Sequence, residues 1–159
     1  KSKNSSLIKS FDSAFMIQEK NKIILDKKKL RCVTRLKPSR KELSDIKFAI
    51  NISKHIKSNA IVLCNNLSTI GIGGGQPSRL DSCKIAIQKA KKFLPKKIKN
   101  SIAASDAFFP FVDGVKILVN AGVKIIVQPG GSIRDKEIID FANKSKIKML
   151  FTGLRHFNH

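Results

Sequence analysis

Residues 102–135 read IAASDAFFPFVDGVKILVNAGVKIIVQPGGSIRD, and this stretch decides the fold. Short apolar runs at 102–104 and 123–127 predict buried strands, and each is followed by a turn and then by a helix. The first of these helices, over 113–121, is closed by Gly122, and the second is expected to begin at Asp135. The same alternation extends over the chain from residue 60 onward, and it predicts an α/β layered sandwich.

The turn at residues 105–113 concentrates aromatic and acidic side chains. It holds three of the ten phenylalanines and two carboxylates, in a chain without Trp or Tyr. Pro110 ends any helix and cannot donate a sheet hydrogen bond, so we predict a rigid turn with aromatic walls. Flat apolar walls beside fixed carboxylates fit a planar, nitrogen-rich ligand such as a purine precursor or a pterin. The alternative is a hydrophobic plug at the end of a strand.

The residues before 102 predict further strands and two helices. Ser39 and Glu42 have the spacing of a capping box and open the first helix. Ser78 and Asp81 match a second pair of cap residues. Predicted strands or hairpin segments cover residues 15–17, 23–25, 30–36, 60–64 and 69–72.

Three loops occupy the same position in the predicted sheet, because each follows a strand and precedes a helix. They cover residues 73–79, 105–113 and 128–134. Such loops gather at the carboxyl ends of strands, where α/β sheets bind ligands. Two of them are rich in glycine and lead into helix N-termini, where Arg79 and Arg134 are placed to hold a phosphate. The alternative for residues 129–132 is ordinary turn chemistry.

The composition limits the classes of partner. The net charge is +21 over 159 residues, but the lysines are scattered over every predicted element without an arginine-rich arm. We therefore expect attraction of small anions, or of RNA nonspecifically at low salt, rather than specific nucleic-acid binding. No apolar run approaches the ~20 residues of a membrane helix, and no membrane partner is predicted. Cys32, Cys64 and Cys83 have no disulfide or zinc spacing, which fits a reducing cytoplasm and predicts no metal.

The three histidines give no catalytic pattern. His55 is expected in the middle of a helix, facing solvent, and His156 and His159 lie in the tail after the last predicted strand. A lone histidine in a tail is expected at the surface. The alternative is that Arg155 and His156, just after a strand end, reach the same pocket.

Five segments together resemble the AICAR transformylase domain of the bifunctional purine biosynthesis family. They are residues 57–62, 70–79, 105–113, 128–135 and 155–159, and their order and spacing match over residues 12–159. The resemblance implies a cytidine-deaminase-like sandwich, with residues 12–159 as the second, C-terminal subdomain of the transformylase domain. Residues 1–11 are then expected to be a flexible or truncated end, and the cyclohydrolase domain and first transformylase subdomain to be absent.

The resemblance also implies an activity and a set of roles. The activity is transfer of a formyl group from 10-formyltetrahydrofolate, as co-substrate, to AICAR ribonucleotide, giving formyl-AICAR and tetrahydrofolate. The family then cyclises formyl-AICAR to IMP. A cytoplasmic homodimer with the site at its interface is implied as well. By resemblance Asn59 hydrogen-bonds the carboxamide region of AICAR, Arg79 orients the nucleotide, Phe108 stacks on the imidazole and Arg155 meets the phosphate. Bordering the folate would be Pro110, Phe111 and Asp113.

The sequence departs from the family pattern at three places. A Lys-His-x-Asn-Pro-x-Gly motif, which carries the family's catalytic lysine and histidine, does not occur. Val112 stands where the family has arginine, and Ser13-Ala14 where it has two glycines. Because a weakly basic aromatic amine needs a proton acceptor, we expect this polypeptide alone to be inactive. The alternatives are a catalytically dead remnant or fragment that serves as a nucleotide-binding or basic interaction module, and a nucleic-acid binder driven by charge.

Overall fold

Eight strands form two separate sheets in this computed structural model, which describes residues 6–19 and 29–158. Strands β1 (Ser6–Phe11) and β2 (Ala14–Glu19) make an antiparallel ribbon. The main sheet has six strands in the order β3-β8-β7-β6-β4-β5. Its strands are β3 (Arg31–Cys32), β4 (Ile61–Asn65), β5 (Ser68–Gly73), β6 (Ile102–Ser105), β7 (Ile125–Gln128) and β8 (Lys148–Phe151).

The strand directions bring the predicted loops to one edge of the main sheet. Strands β6, β7 and β8 are parallel, and β4 is antiparallel to both β5 and β6. Strands β5 to β8 therefore end at the same edge, and β4 begins there. The expectation that the loops after β5, β6 and β7 gather at the carboxyl ends of strands is confirmed. This edge is called the carboxyl edge below.

In the described part of the chain, four helices cover the two faces of the main sheet. They are α1 (Arg40–Ser53), α2 (Arg79–Phe93), α3 (Val112–Ala121) and α4 (Asp135–Lys144), with a short 3-10 helix over Pro95–Lys97. Successive side chains of a strand point to opposite faces. Accordingly Val62 and Cys64 pack with α1, whereas Ile61 and Leu63 pack in the cluster that contains α2, α3 and α4. The α/β class predicted from the sequence is thus confirmed.

The helix ends follow the predicted signals. Ser39 and Glu42 form a capping box, in which the Ser39 amide donates to Glu42 Oε2 over 2.6 Å. Ser78 Oγ accepts from the Asp81 amide at the start of α2. Gly122 ends α3 in a left-handed conformation, with φ of 108°. These contacts satisfy backbone groups that a helix end leaves unpaired.

The close packing of α2 on β5 requires glycine. An added Cβ at Gly71 would collide with the carbonyl oxygen of Ala86, and one at Gly73 with that of Ser82. Both oxygens belong to the backbone of α2, so neither can move aside cheaply. Glycine at these two positions therefore allows α2 to pack close to β5, and this packing determines where Arg79, the first residue of α2, is placed.

The first third of the chain differs from its sequence-based prediction. The predicted strand at 30–36 is reduced to β3, because the Thr34 hydroxyl accepts from the Met149 amide where a backbone carbonyl would continue the ladder. Residues 15–17 lie in β2, whose partner is β1, within the segment 1–11 for which no strand was predicted. The predicted strand at 23–25 lies outside the described residues.

The ribbon of β1 and β2 exposes apolar side chains. Ile8 and Ile17 face each other across the ribbon and are 62% and 69% exposed, and Phe15 is 74% exposed. The ribbon is connected to the tail after β8 by a hydrogen bond of 2.9 Å from Gln18 Nε2 to the Phe157 carbonyl. Within the described residues, no helix is long and apolar enough to span a bilayer.

The three cysteines are free thiols in different environments. Burial raises the pKa of Cys64 to about 12, and the charge of Asp45 acts in the same direction. Burial likewise raises the pKa of Cys83 to about 12, against the opposing effect of Arg79. Cys32 is half-buried on β3, at the edge of the main sheet opposite β5.

Candidate functional site

Arg79 is the centre of the carboxyl edge. It is the first residue of α2, and its guanidinium donates three hydrogen bonds to the chain. Nη1 donates to the Phe108 carbonyl over 2.9 Å, and Nη2 donates to Asn59 Oδ1 over 2.8 Å and to Asp106 Oδ1 over 3.1 Å. Three segments that are distant in sequence are therefore held together by one side chain.

Asp106 is the buried partner of that arginine. Its side chain is 0% exposed and that of Arg79 is 11% exposed, so the ion pair is shielded from water. The Asp106 amide donates to the Ala60 carbonyl, and its own carbonyl accepts from the His156 amide. Removing one partner of such a pair leaves a buried charge uncompensated, at a cost of about 3–5 kcal/mol. The sequence prediction counted Asp106 among the two carboxylates of the loop 105–113 but gave it no role among the seven assigned residues; the available signal was a carboxylate directly after an apolar strand.

Asn59 precedes β4, and hydrogen bonds hold both its side-chain amide and its backbone carbonyl. Its Nδ2 donates to the carbonyls of Gln76 and Pro77 over 2.9 and 3.1 Å. Its backbone carbonyl accepts from Ser82 Oγ over 2.8 Å. An amide oxygen can accept two hydrogen bonds, and Arg79 uses one of them. Asn59 can therefore offer a ligand the remaining acceptor position on Oδ1, from a side chain that does not rotate freely.

A cavity of about 360 Å³ opens beside this network. That volume lies in the range of small-molecule sites. The cavity brings together five of the seven residues predicted for substrate or folate. Its full lining is Asn59, Pro77, Ser78, Arg79, Leu80, Phe109, Pro110, Phe111, Asp113 and Gly114.

The other two predicted residues form a stack next to the cavity. The guanidinium of Arg155 lies over the ring of Phe108, 4.6 Å from its centroid. Neither residue lines the cavity, but the Phe108 carbonyl accepts from Arg79, which does. The predicted site therefore consists of two adjoining parts. Among residues 6–19 and 29–158, no carboxylate forms an ion pair with Arg155.

The expected phosphate cradles are occupied by the chain itself. The Gly131 amide donates to Asp135 Oδ2 over 2.7 Å, and the Gly75 amide donates to the Lys57 carbonyl over 2.6 Å. Arg134 pairs with Glu137 and lies over the ring of Phe111 at 4.9 Å. The structure thus supports ordinary turn chemistry for residues 129–132. It also shows Arg79 paired with a carboxylate rather than available to an anion.

The prediction that His156 lies at the surface is wrong, because its side chain is only 3% exposed. Burial lowers its pKa, the charge of Lys54 lowers it further, and the carboxylate of Asp106 opposes both. Its imidazole is therefore neutral at pH 7. His55 is exposed as predicted, but it lies just after the end of α1 rather than within the helix.

A larger groove of about 610 Å³ lies between α3 and α4. It is lined by none of the seven predicted residues, and both acidic and basic side chains line it. The full lining of the groove is Val112, Lys116, Ile133, Arg134, Lys136, Glu137, Asp140, Phe141 and Lys144. The part of the chain that the structure describes has no group of three or more His, Cys, Asp or Glu side chains arranged to hold a metal ion.

Known proteins match both the first half and nearly the whole of the chain. The family profile "AICARFT/IMPCHase bienzyme" matches residues 1–89. Proteins called "Bifunctional purine biosynthesis protein PurH" are similar over almost the full length. The one from Bartonella henselae is 43% identical over 96% of this chain and 30% of its own length. Those from Chelativorans sp. and Aquifex aeolicus are 46% and 45% identical, over 95% and 96% of this chain and 29% of their own.

The chain therefore spans about 30% of the length of these relatives. Among solved structures, a diaminohydroxyphosphoribosylaminopyrimidine deaminase/5-amino-6-(5-phosphoribosylamino)uracil reductase from Thermotoga maritima matches 69% of this chain and 34% of its own. The sequence identity is 14% and the TM-score is 0.42. A similarity of that size does not define the fold.

Proposed function

Because the chain belongs to the AICARFT/IMPCHase bienzyme family, we propose that it binds the substrates of a formyl transfer in purine biosynthesis. The reaction moves a formyl group from 10-formyltetrahydrofolate to the amine of AICAR ribonucleotide, leaving tetrahydrofolate. One observation carries the proposal. Asn59, Arg79, Phe108 and Arg155 come from four separate segments and are linked by direct contacts at the carboxyl edge.

The two adjoining parts of the site divide the substrates between them. The Phe108–Arg155 stack offers an aromatic face and a cation, which suit the imidazole and phosphate of the nucleotide. The cavity lined by Pro110, Phe111 and Asp113 offers apolar walls and a carboxylate, which suit the pterin of the folate. Binding both next to Asn59 and Arg79 would bring amine and formyl carbon together, and such proximity lowers the barrier of a two-substrate reaction.

We further propose that this polypeptide binds substrates without transferring the formyl group by itself. An aromatic amine that attacks a formyl carbon must lose a proton to an acceptor. The sequence has no Lys-His-x-Asn-Pro-x-Gly motif. Of the described histidines, His55 is exposed beyond α1, and His156 is buried and does not line the cavity.

Four further expectations stay predictions taken from the family resemblance. They are a cytidine-deaminase-like arrangement of the sheet, the assignment of residues 12–159 as the second transformylase subdomain, a homodimer and a cytoplasmic location. The cyclohydrolase step is a further expectation of this kind. It is taken from the bifunctional family, and none of the residues described above is assigned to it.

Calorimetry with AICAR ribonucleotide tests the proposal directly. We expect the chain to bind the nucleotide, and Phe108→Ala to weaken binding by roughly 1–3 kcal/mol because a stacking wall is lost. Phe93→Ala is the matched control, because this ring is 67% exposed at the end of α2 and outside the site. An equal affinity for wild type and Phe108→Ala would contradict the assignment.

A turnover assay with 10-formyltetrahydrofolate tests the second proposal. Nucleotide binding without tetrahydrofolate release is the expected result. Measurable formyl transfer by the isolated polypeptide would show that a proton acceptor has been overlooked.

A further inference from the structure

We propose that Asp106 is a positioning residue for nucleotide binding, which acts through Arg79 and sets that arginine apart from Arg155 in function. The inference rests on the proposed function for its ligand, but its structural part can be tested without any ligand. It assigns a role to a buried carboxylate that does not line the cavity.

The contacts of Asp106 reach every part of the site. Its Oδ1 accepts from Arg79 Nη2, and the same Nη2 donates to Asn59 Oδ1. Its backbone carbonyl accepts from His156, the neighbour of Arg155 in the tail, over 2.9 Å. A single residue thus positions the arginine between cavity and stack and also fixes the segment that carries the second arginine.

The charge of Asp106 decides what Arg79 can do. A guanidinium that is 11% exposed and paired with a fully buried carboxylate is already neutralised. It can orient uncharged groups through its remaining hydrogen-bonding capacity, but it has little net charge to offer a phosphate. Arg155 is exposed, and within the described residues it forms no ion pair with a carboxylate. The phosphate is therefore assigned to Arg155, and the carboxamide of the base to the Asp106–Arg79–Asn59 network beside the ring of Phe108, on which the imidazole stacks.

The second carboxylate oxygen supports a positioning role over a merely structural one. Asp106 Oδ2 is buried and has no hydrogen-bond partner among the described residues, and Arg79 Nε is in the same state. Unsatisfied buried polar atoms are unfavourable and rare in folded proteins. A pair kept for packing alone would be replaced by apolar side chains at little cost, whereas a pair kept to hold one guanidinium orientation needs its charge.

The first experiment uses NMR of the arginine side chains in the ligand-free chain. In the wild type we expect separate signals for the Arg79 guanidinium nitrogens, because its hydrogen bonds hinder rotation. In Asp106→Asn we expect these signals to average, while circular dichroism still reports a folded chain. The control is Asp140→Asn, which neutralises an exposed carboxylate on α4 and should leave the Arg79 signals unchanged.

The second experiment compares AICAR ribonucleoside with AICAR ribonucleotide by calorimetry. Asp106→Asn should weaken both ligands by the same factor, about tenfold, because a charged hydrogen bond that orients the base is lost. Arg155→Ala should weaken only the nucleotide. A structural defect in Asp106→Asn would not reproduce this division, because it would also reduce the difference between the two ligands.

The outcomes separate this proposal from the proposed function. If the wild type binds neither ligand, the proposed function fails, and the NMR experiment still decides whether Asp106 positions Arg79. Averaged Arg79 signals in the wild type, or unchanged signals in Asp106→Asn, overturn the proposal. So does a loss confined to the nucleotide in Asp106→Asn.

An unfolded Asp106→Asn variant is also informative. The double variant Asp106→Asn/Arg79→Gln removes both charges and should then fold, because no buried charge is left unpaired. It should bind the nucleoside about as weakly as is expected above for a folded Asp106→Asn variant. A double variant that binds like the wild type would show that the pair has no positioning role.

Discussion

The loops at 105–113 and 128–134 occupy equivalent positions and behave differently. They follow the adjacent parallel strands β6 and β7 and lead into α3 and α4. In the first loop Asp106 and Phe109 are 0% and 1% exposed, and both residues form hydrogen bonds with distant segments. In the second, Ile133 is fully exposed, and the hydrogen bonds of Gly131 and Arg134 stay within the loop and the first turn of α4.

The difference shows that a position at the carboxyl edge does not by itself create a site. Residues 105–113 take part in the candidate site because Asn59, Arg79 and His156 contact them from elsewhere in the chain. Residues 128–134 meet the first loop at Gln128, whose buried Oε1 accepts from the Phe109 amide over 2.8 Å, and at Arg134, which lies over the ring of Phe111. Hydrogen bonds to distant segments, rather than glycine content, distinguish residues 106–109 from residues 131–134.

The largest expected contrast between the loops is in stability. Phe109→Ala should lower the free energy of unfolding by about 3–5 kcal/mol, because it empties a fully buried aromatic site. Ile133→Ala should change it by less than about 0.5 kcal/mol, since that side chain contributes no burial. Urea denaturation of both variants measures the contrast. Similar values for the two would remove the distinction between a buried and an exposed loop.

A second prediction concerns the contact of the exposed loop with Phe151. Gly130 has φ of 75°, and an added Cβ would collide with the ring of Phe151. Gly130→Ala should therefore lower the free energy of unfolding by about 2–3 kcal/mol. At Gly131, with φ of 94°, an added Cβ would meet only Arg155 Nη2, at an ordinary contact distance of 3.8 Å. Substitution by Ala should therefore cost only about 1 kcal/mol, from backbone strain. Equal losses in thermal unfolding would mean that the Phe151 contact does not matter.

The fold was largely predictable because its signals are local. The caps at Ser39 and Ser78, the apolar run of β4 and the end of α3 at Gly122 each depend on residues within one turn or strand. The shortening of the predicted strand at 30–36 was not predictable in this way. It depends on a hydrogen bond between Thr34 and Met149, which lie far apart in sequence.

The candidate site was predictable only in part, for the same physical reason. Resemblance to a family named seven residues, and the structure brings them together as a cavity and an adjoining stack. The pairing of Arg79 with Asp106 and the burial of His156 depend on contacts between distant segments. Single-sequence reasoning assigned Arg79 to an anion because a helix N-terminus is a local feature and a buried counter-charge is not.

A third prediction concerns how the free energy of unfolding depends on pH through His156, which contacts the buried loop. His156, whose amide donates to Asp106, has a pKa below its ordinary value of 6.5, chiefly because it is buried. Below about pH 6.5 the unfolded chain therefore binds this proton more readily than the folded chain does, and stability falls as pH is lowered. His156→Leu should remove that part of the pH dependence in urea denaturation between pH 7 and 5. An unchanged slope would indicate that His156 titrates normally.

The smallest effect is expected at the arginine of the exposed loop. Arg134→Ala removes an ion pair with Glu137, in which both side chains are about half exposed (52% and 51%), and a contact with the exposed ring of Phe111. Water and salt screen such a pair, so its loss should cost no more than about 0.5–1 kcal/mol. The loss should shrink further in 1 M salt, whereas Arg79→Ala should stay costly there because its partner is buried. If the loss for Arg134→Ala did not depend on salt, the exposed ion pair of the second loop would behave like the buried pair of the first, against the difference in their exposure.

The unequal environments of the three cysteines have a practical consequence. A maleimide reacts with thiolates, and at neutral pH the two thiols with a pKa of about 12 supply almost none. Cys32, half-buried on the edge strand β3, is therefore the position at which a fluorophore can be attached without mutating the chain. From that position the dye would report on molecules that dock along this side of the sheet.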